Sequence, residues 1–261
     1  MGILNITPDS FSDGGFYNSI DRAVNRARQL IIDGADILDI GGESTRPGSS
    51  KISIKEELNR VIPVIKEIRK NNKDILISID TYKSEVAKQS IASGANIIND
   101  ISGLVLDEKM AKVAASLDVP VVLMHLKGTP QNMQVNPTYK SLIFEIKNFL
   151  TTQANYALKM GVKQKNIIID PGIGFGKTIK DNFEILAKLK EFTTTGFPVL
   201  VGPSRKSFIG ETLNLPVDKR LEGTAATIAI SITNGAKIVR VHDVIEMKKV
   251  CNIVDKTLEM A

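Results

Sequence analysis

The chain has 261 residues, 24% of them charged, with a formal net charge of +5 and no tryptophan. This length suits one large α/β domain. The scattered lysines and arginines, with few aromatics, argue against a stacking platform for single-stranded nucleic acid; they read as a solvated surface or as a positive field around a pocket for anionic substrates. Cys251 is the single cysteine, which excludes an internal disulfide or a cysteine metal cluster, and it sits in a helical pattern as a packing residue. No apolar stretch is long enough to span a membrane, and the N-terminus lacks the basic-then-apolar pattern of a secretion signal. The cytoplasm is the expected compartment, with neither membrane nor nucleic acid as a partner.

In chain order, short apolar runs cover Gly2 to Ile6, Ile37 to Ile40, Ile75 to Ile79, Asn96 to Ile98, Val119 to Met124, Asn166 to Ile169, Pro198 to Val201 and Lys237 to Val241. They are continuous rather than alternating, as in parallel strands buried on both faces. Between them, helical spacing runs through Ile20 to Asp33, Ile54 to Lys70, Ser84 to Ser93, Glu108 to Leu117, Tyr139 to Met160, Asn182 to Glu191 and Leu221 to Asn234, and Thr212 to Asp218 reads as a surface turn. Gly34, Gly94, Gly161 and Gly235 stand where helices would end, each shortly before a strand. Eight strands alternating with helices predict a (β/α)8 barrel as one domain over residues 1–261. An open doubly wound sheet is the alternative, and it would normally carry a Gly-rich dinucleotide fingerprint after an early strand; none is present.

A polar residue follows every apolar run: Asn5, then Asp39 to Arg46, Asp80, Asn99-Asp100, His125, Asp170 to Lys177, Gly202 to Ser207, and Arg240-Val-His242-Asp243. In a barrel these positions ring one mouth, the C-terminal face that carries active sites. One or two of them would read as helix caps; eight in eight do not. Asp80, Asn99 and Asp170 suit a heterocycle with an amino group beside a ring N–H, which a carboxylate accepts as a fork. Arg240, His242 and Asn5 come together because the first and last strands of a closed barrel are neighbours. Arginine suits phosphate oxygens, histidine can donate to the same anion, and the asparagine oxygen suits a hard cation such as Mg²⁺. His125 is balanced between function and packing. The run Gly172-Ile-Gly-Phe-Gly176-Lys177-Thr178 resembles a phosphate loop, but its spacing is wrong for nucleoside triphosphates. The Gly- and Ser-rich stretch Thr7 to Gly15 reads as a mobile lid.

These residues resemble one family throughout. Gly2-Ile-Leu-Asn-Ile-Thr-Pro-Asp-Ser-Phe-Ser-Asp-Gly-Gly15 and Gly34-Ala-Asp-Ile-Leu-Asp-Ile-Gly-Gly-Glu-Ser-Thr-Arg-Pro-Gly48 are similar to the two long signatures of the dihydropteroate synthases. Ile77-Ser-Ile-Asp-Thr81, Ile97-Ile-Asn-Asp100, Leu123-Met-His125, Asp170-Pro-Gly-Ile-Gly-Phe175, Ser204-Arg-Lys-Ser207 and Arg240-Val-His242 follow in that family's order. Family chains usually carry a segment ahead of the first strand, whereas Met1 stands one residue before it here, so the expectation is either a chain trimmed at this end or a barrel floor that closes differently.

The resemblance implies a homodimeric barrel of folate biosynthesis that joins 4-aminobenzoate to 6-hydroxymethyl-7,8-dihydropterin diphosphate, releasing diphosphate. It implies that Asp80, Asn99, Met124, Asp170 and Lys206 hold the pterin. Asn5, Thr45, Arg240 and His242 would hold the diphosphate, with Asn5 also on Mg²⁺. Phe11, Asp13, Thr45, Arg46, Pro47, Phe175 and Ser207 would frame the aminobenzoate. Catalysis would rest on Asn5, Lys206, Arg240 and His242 through positioning and leaving-group stabilisation. The loop after the sixth strand has no insertion beside Phe175, so sulfonamides are expected to compete. The rivals are a methyltetrahydrofolate:corrinoid methyltransferase, in which Arg240, His242 and the Asp9 to Gly15 loop would be idle, and a non-catalytic pterin-binding protein.

Overall fold

The computed structural model of the chain describes residues 1–6, 16–46 and 48–260. The apolar runs form strands β1 (Gly2–Asn5), β2 (Ile37–Gly41), β3 (Leu76–Asp80), β4 (Ile97–Asp100), β5 (Val121–Met124), β6 (Ile167–Asp170), β7 (Leu200–Val201) and β8 (Ile238–Val239). β1 to β6 pair in chain order, and β7 pairs with β8, all in parallel. Parallel bridges Ile169↔Val199 and Gly2↔Val241 join the two sheets at both seams, which gives the ring of a (β/α)8 barrel. Around it lie α1 (Phe16–Ile32), α2 (Ile54–Asn71), α3 (Ser84–Ala92), α4 (Met110–Leu117), α5 (Leu142–Lys159), α6 (Ile179–Ala187), α7 (Lys190–Thr193), α8 (Ser207–Leu213), α9 (Leu221–Thr233) and α10 (Val244–Leu258).

One device returns four of the helices to the barrel. Gly34, Gly94, Gly161 and Gly235 all have φ between 96° and 113°, a left-handed cap that a Cβ disfavours. The next residue then donates five positions back: Ala35 to Leu30, Ala95 to Ser90, Val162 to Ala157 and Ala236 to Ser231. The helical run expected over Asn182 to Glu191 is broken. It ends as α6 at Ala187, and i→i−3 bonds from Glu191 to Lys188 and from Phe192 to Leu189 tighten the chain, so that Leu189 and Phe192 are both fully buried. The turn expected from Thr212 begins inside α8, which ends at Asn214 in the left-handed conformation.

Strand alternation sorts the barrel into two surfaces. Leu38, Ile40, Ile77, Ile79, Ile98, Leu123, Ile167 and Ile169 belong to the large core between strands and helices. Met1, Ile97, Val122 and Leu200, packed with Ile37, Ile168 and Ile238, form a separate apolar cluster that floors the barrel interior. Two residues further along the same strands stand Asp39, Asn99, Met124, Asp170 and Arg240, and with them the interior changes from apolar to polar. Among the described residues no helix is long and apolar enough to cross a membrane.

Candidate functional site

β3, β4 and β6 run further toward their C-terminal ends than the apolar pattern alone implies, so Asp80, Asn99, Asp100 and Asp170 are strand residues, not loop residues, as Asn5 is at the end of β1. Their backbones are held by ladder hydrogen bonds, for example with Gly41 opposite both Asn5 and Asp80.

Arg240 is the hub. Its Nε donates to Asp39 Oδ2 at 2.5 Å and its Nη2 to Asp80 Oδ2 at 2.8 Å. Asp39, fully buried, also accepts from Asn99 Nδ2 at 3.2 and 3.3 Å. Two carboxylates thus fix one edge of the guanidinium and leave Nη1 for a ligand. Asp80 Oδ1 is buried and has no hydrogen-bond partner among the described residues. A buried carboxylate oxygen in that state is costly, and burial, with Asp39 nearby, pushes the Asp80 carboxyl up against the opposing pull of Arg240. It is an acceptor waiting for a donor.

Bare Gly41 lies beside these groups. A Cβ there would sit 3.5 Å from Asn5 Oδ1 and 3.7 Å from Asp80 Oδ2, filling the space into which both oxygens open. Oxygens from an amide and a carboxylate suit a hard cation. Among the described residues no cluster of three His, Cys, Asp or Glu could hold a metal by itself. The donor set therefore fits Mg²⁺ only as an ion that takes most of its ligands from water and phosphate.

His242 follows Arg240 on the same face. Its Nδ1 lies 3.0 Å from Ser204 Oγ, and its backbone N–H donates to that hydroxyl at 3.2 Å. Burial, aided by Arg240 and Arg205, lowers its pKa to about 4, so the ring is neutral at pH 7. Arg205 in turn is paired with Asp243. Across the mouth, Asp170 Oδ1 accepts from Gly172 N–H at 2.7 Å. Lys206 donates to the Ile173 carbonyl and lies 4.5 Å from the centre of the Phe175 ring. Burial, partly offset by Asp170, brings its pKa down to about 7. Met124 is buried at the end of β5.

The loop after β6 is stapled from behind. Lys177, 3% exposed, donates to the carbonyls of Phe175 at 2.9 Å and His125 at 3.2 Å, and its Nζ lies 2.9 Å from His125 Nδ1. At Gly172, φ is 70° and any Cβ would overlap the His125 carbonyl oxygen. His125 is thus a support for this loop; burial and the Lys177 charge hold its pKa far below the usual value. Gln134 reaches the Gly174 carbonyl at 2.8 Å and Tyr139 the Gly176 carbonyl at 2.7 Å, locking the β5 and β6 loops together.

Thr45 is half-buried and Arg46 exposed on the loop after β2, where the Arg46 charge reaches His242. Ser207 is exposed at the start of α8. It borders a cleft of about 690 Å³ that is also lined by Gln134, Lys177, Asn182 and Phe208. Phe11, Asp13 and Pro47, with the stretch Thr7 to Gly15, lie outside the described residues. Sequence reasoning missed Asp39 as the anchor of Arg240 and Asn99, Ser204 beneath His242, and Lys177 behind the sixth loop. Asp39 carried a usable signal, standing two residues above Ile37 on an inward-facing register.

The chain matches the pterin binding enzyme family over residues 1–242. A dihydropteroate synthase of Clostridium beijerinckii is 52% identical over 256 residues, covering 98% of this chain and 92% of the relative. A solved dihydropteroate synthase from Clostridium difficile, in the presence of pteroic acid, superposes with a TM-score of 0.93 at 46% identity over 98% of this chain and 95% of that one. The Yersinia pestis enzyme in a sulfonamide drug complex gives 0.94 at 42%, over 99% and 94% of the two chains. On this identity and coverage the chain belongs to the pterin binding enzyme family, as a transferase of its dihydropteroate synthase branch.

Proposed function

We propose that the chain joins 4-aminobenzoate to 6-hydroxymethyl-7,8-dihydropterin diphosphate, giving 7,8-dihydropteroate and diphosphate, and that the bond to the leaving group breaks before the amine attacks. The buried, unpartnered Asp80 Oδ1 carries this reading. It faces a site whose other members, Asn99 and Asp170, complete a polar set for the amino and ring N–H groups of a pterin. Lys206 closes that set from the seventh loop.

Diphosphate is assigned to Asn5, Thr45, Arg240 and His242. With its Nε and one Nη2 hydrogen committed to Asp39 and Asp80, Arg240 is oriented before substrate arrives and stabilises negative charge as it develops on the departing oxygen. Neutral His242 can donate one N–H to the same anion. Mg²⁺ held at Asn5 would supply further positive charge to the diphosphate oxygens. The electron pair of the breaking C–O bond leaves with diphosphate, and the dihydropterin ring delocalises the positive charge left on the exocyclic carbon. The aminobenzoate nitrogen then forms the C–N bond and loses a proton to solvent. Positioning does the work here, and no strong base is required.

Thr45, Arg46, Pro47, Phe11, Asp13, Phe175 and Ser207 are assigned to the aminobenzoate, which binds after the pterin; sulfonamides, as its mimics, compete. Ile179, Phe183, Leu213, Leu215, Val217 and Ile230 are exposed apolar residues on and between α6, α8 and α9, and they support a homodimer through that side. The test follows diphosphate release from the pterin diphosphate with Mg²⁺. Release only when 4-aminobenzoate is present is the expected result. A tight pterin complex without release would overturn the synthase reading in favour of a binding protein.

A further inference from the structure

Lys83 lies outside the barrel mouth, three residues beyond Asp80 at the start of α3. Its ammonium donates to Glu43 Oε2 at 2.5 Å, Glu57 Oε2 at 2.5 Å and the Ile52 carbonyl at 2.8 Å. Three donors meet three acceptors, and the side chain is only 12% exposed. Glu43 stands just after β2 and Ile52 just before α2, so one charge ties together the two ends of the loop between them. Glu43 is held further by the Tyr82 hydroxyl at 2.7 Å and by Ile52 N–H at 3.2 Å. The far side of the same loop is moored to the loop after β5, with Gly48 N–H on the Pro130 carbonyl and Gln131 on the Ser49 carbonyl, both at 3.1 Å. Thr45 and Arg46 hang between these two moorings.

The cluster is a poor way to gain stability. One ammonium faces two carboxylates, Glu57 Oε1 is buried with no partner among the described residues, and burial drives the Glu57 carboxyl up despite Lys83. Well-packed apolar residues would hold this region at least as well, so a buried ionic group points to a geometric role. We propose that Lys83 is a positioning residue for the second substrate, fixing the loop that carries Thr45 and Arg46 without touching either substrate. The inference rests on the assignment of that loop to aminobenzoate made above.

Steady-state kinetics of Lys83→Met, with Lys83→Arg as the conservative variant, test it. If the loop spends only a tenth of its time in the competent geometry, the KM for 4-aminobenzoate rises about tenfold, while the Kd for the 6-hydroxymethylpterin without its diphosphate, which Thr45 is not assigned to touch, stays within about twofold. Lys83→Arg restores most of the loss, which a purely structural defect measured by Tm would not track. Should Lys83→Met fail to fold, Tyr82→Phe removes a single bond to Glu43 and shifts the same constant by about two- to threefold. Equal rises in both constants, or a lowered Tm with an unchanged KM, overturn the proposal. A wild-type protein that releases no diphosphate removes the functional reading and this inference together; an active wild type with insensitive variants removes this inference alone.

Discussion

The two faces of each barrel strand hold opposite environments. On β2, Leu38 and Ile40 point outward into the helix-covered core, while Ile37, Asp39 and Gly41 line the inside. The outer face is apolar along most of its length, with the buried Asp100 at the end of β4 as an exception. The inner face is apolar only at its floor and carries carboxylates, amides and a guanidinium one layer higher. Burial of apolar area is what holds folds together, so stability resides outside the strands. Inside, Asp39, Asp80 and Asp170 are all buried carboxylates, a costly arrangement that persists because the surrounding core is over-determined. Function has been placed where the fold depends on packing least.

That division can be broken most directly at Arg240. Arg240→Ala should lower turnover at saturating substrates by about 10²–10³-fold, the scale of losing a preorganised charge stabiliser. It also leaves Asp39 and Asp80 buried without their cation, so stability should fall by about 3–5 kcal/mol. Leu38→Ala, one residue from Asp39 but on the outer face, should cost a comparable 2–5 kcal/mol and leave kcat of the folded enzyme close to wild type. Urea unfolding and kinetics on both variants settle the point; a large kcat loss in Leu38→Ala would erase the distinction between the faces. Asp39→Asn is a finer probe. It keeps the shape but removes the charge that orients Arg240 and Asn99. Loss of one charged hydrogen bond is worth about 1.5–3 kcal/mol, so pterin diphosphate affinity should weaken roughly tenfold to a hundredfold. Unchanged affinity by calorimetry would show that Arg240 and Asn99 hold their places without it.

The same contrast explains what could be read before the structure was known. The outer face repeats locally: an apolar run, a helix, a glycine cap and the next run. Local repetition is legible, and so is the polar residue at each strand end, because it interrupts the run at a fixed place. Asn5, Asp80, Asn99, Asp170 and Arg240 were all visible in this way. The partnerships inside the mouth were not. Asp39 meets Arg240 across 201 positions of sequence and Lys83 meets Glu43 across 40, and no local spacing encodes such a meeting. The role of Lys177 was hidden for the same reason. Next to three glycines it resembles a phosphate-binding lysine, yet the fold turns it inward onto the His125 carbonyl. The break between α6 and α7 likewise depends on where Leu189 and Phe192 find cover, which is tertiary information.

The last contrast concerns pH, and it too separates the faces. The folded-state value of Lys206 is brought down to about 7, so between pH 7 and its usual value near 10.5 the unfolded chain binds more protons than the folded one. Stability conferred through this group must therefore rise with pH across that window. His242, lowered to about 4, acts at the acid end: its contribution is fully present above its usual 6.5 and is lost as the pH falls toward 4. Unfolding free energies of wild type, Lys206→Met and His242→Gln from pH 4 to 10 isolate the two slopes. The wild-type minus Lys206→Met difference should climb from pH 7 upward, and the wild-type minus His242→Gln difference should fall below pH 6.5. Leu38→Ala should run parallel to wild type throughout, since the substitution removes no group that titrates. A Lys206→Met curve that also runs parallel would mean that its ammonium is solvated, and that the mouth is wetter than the burial of Asp80 and Asp170 implies.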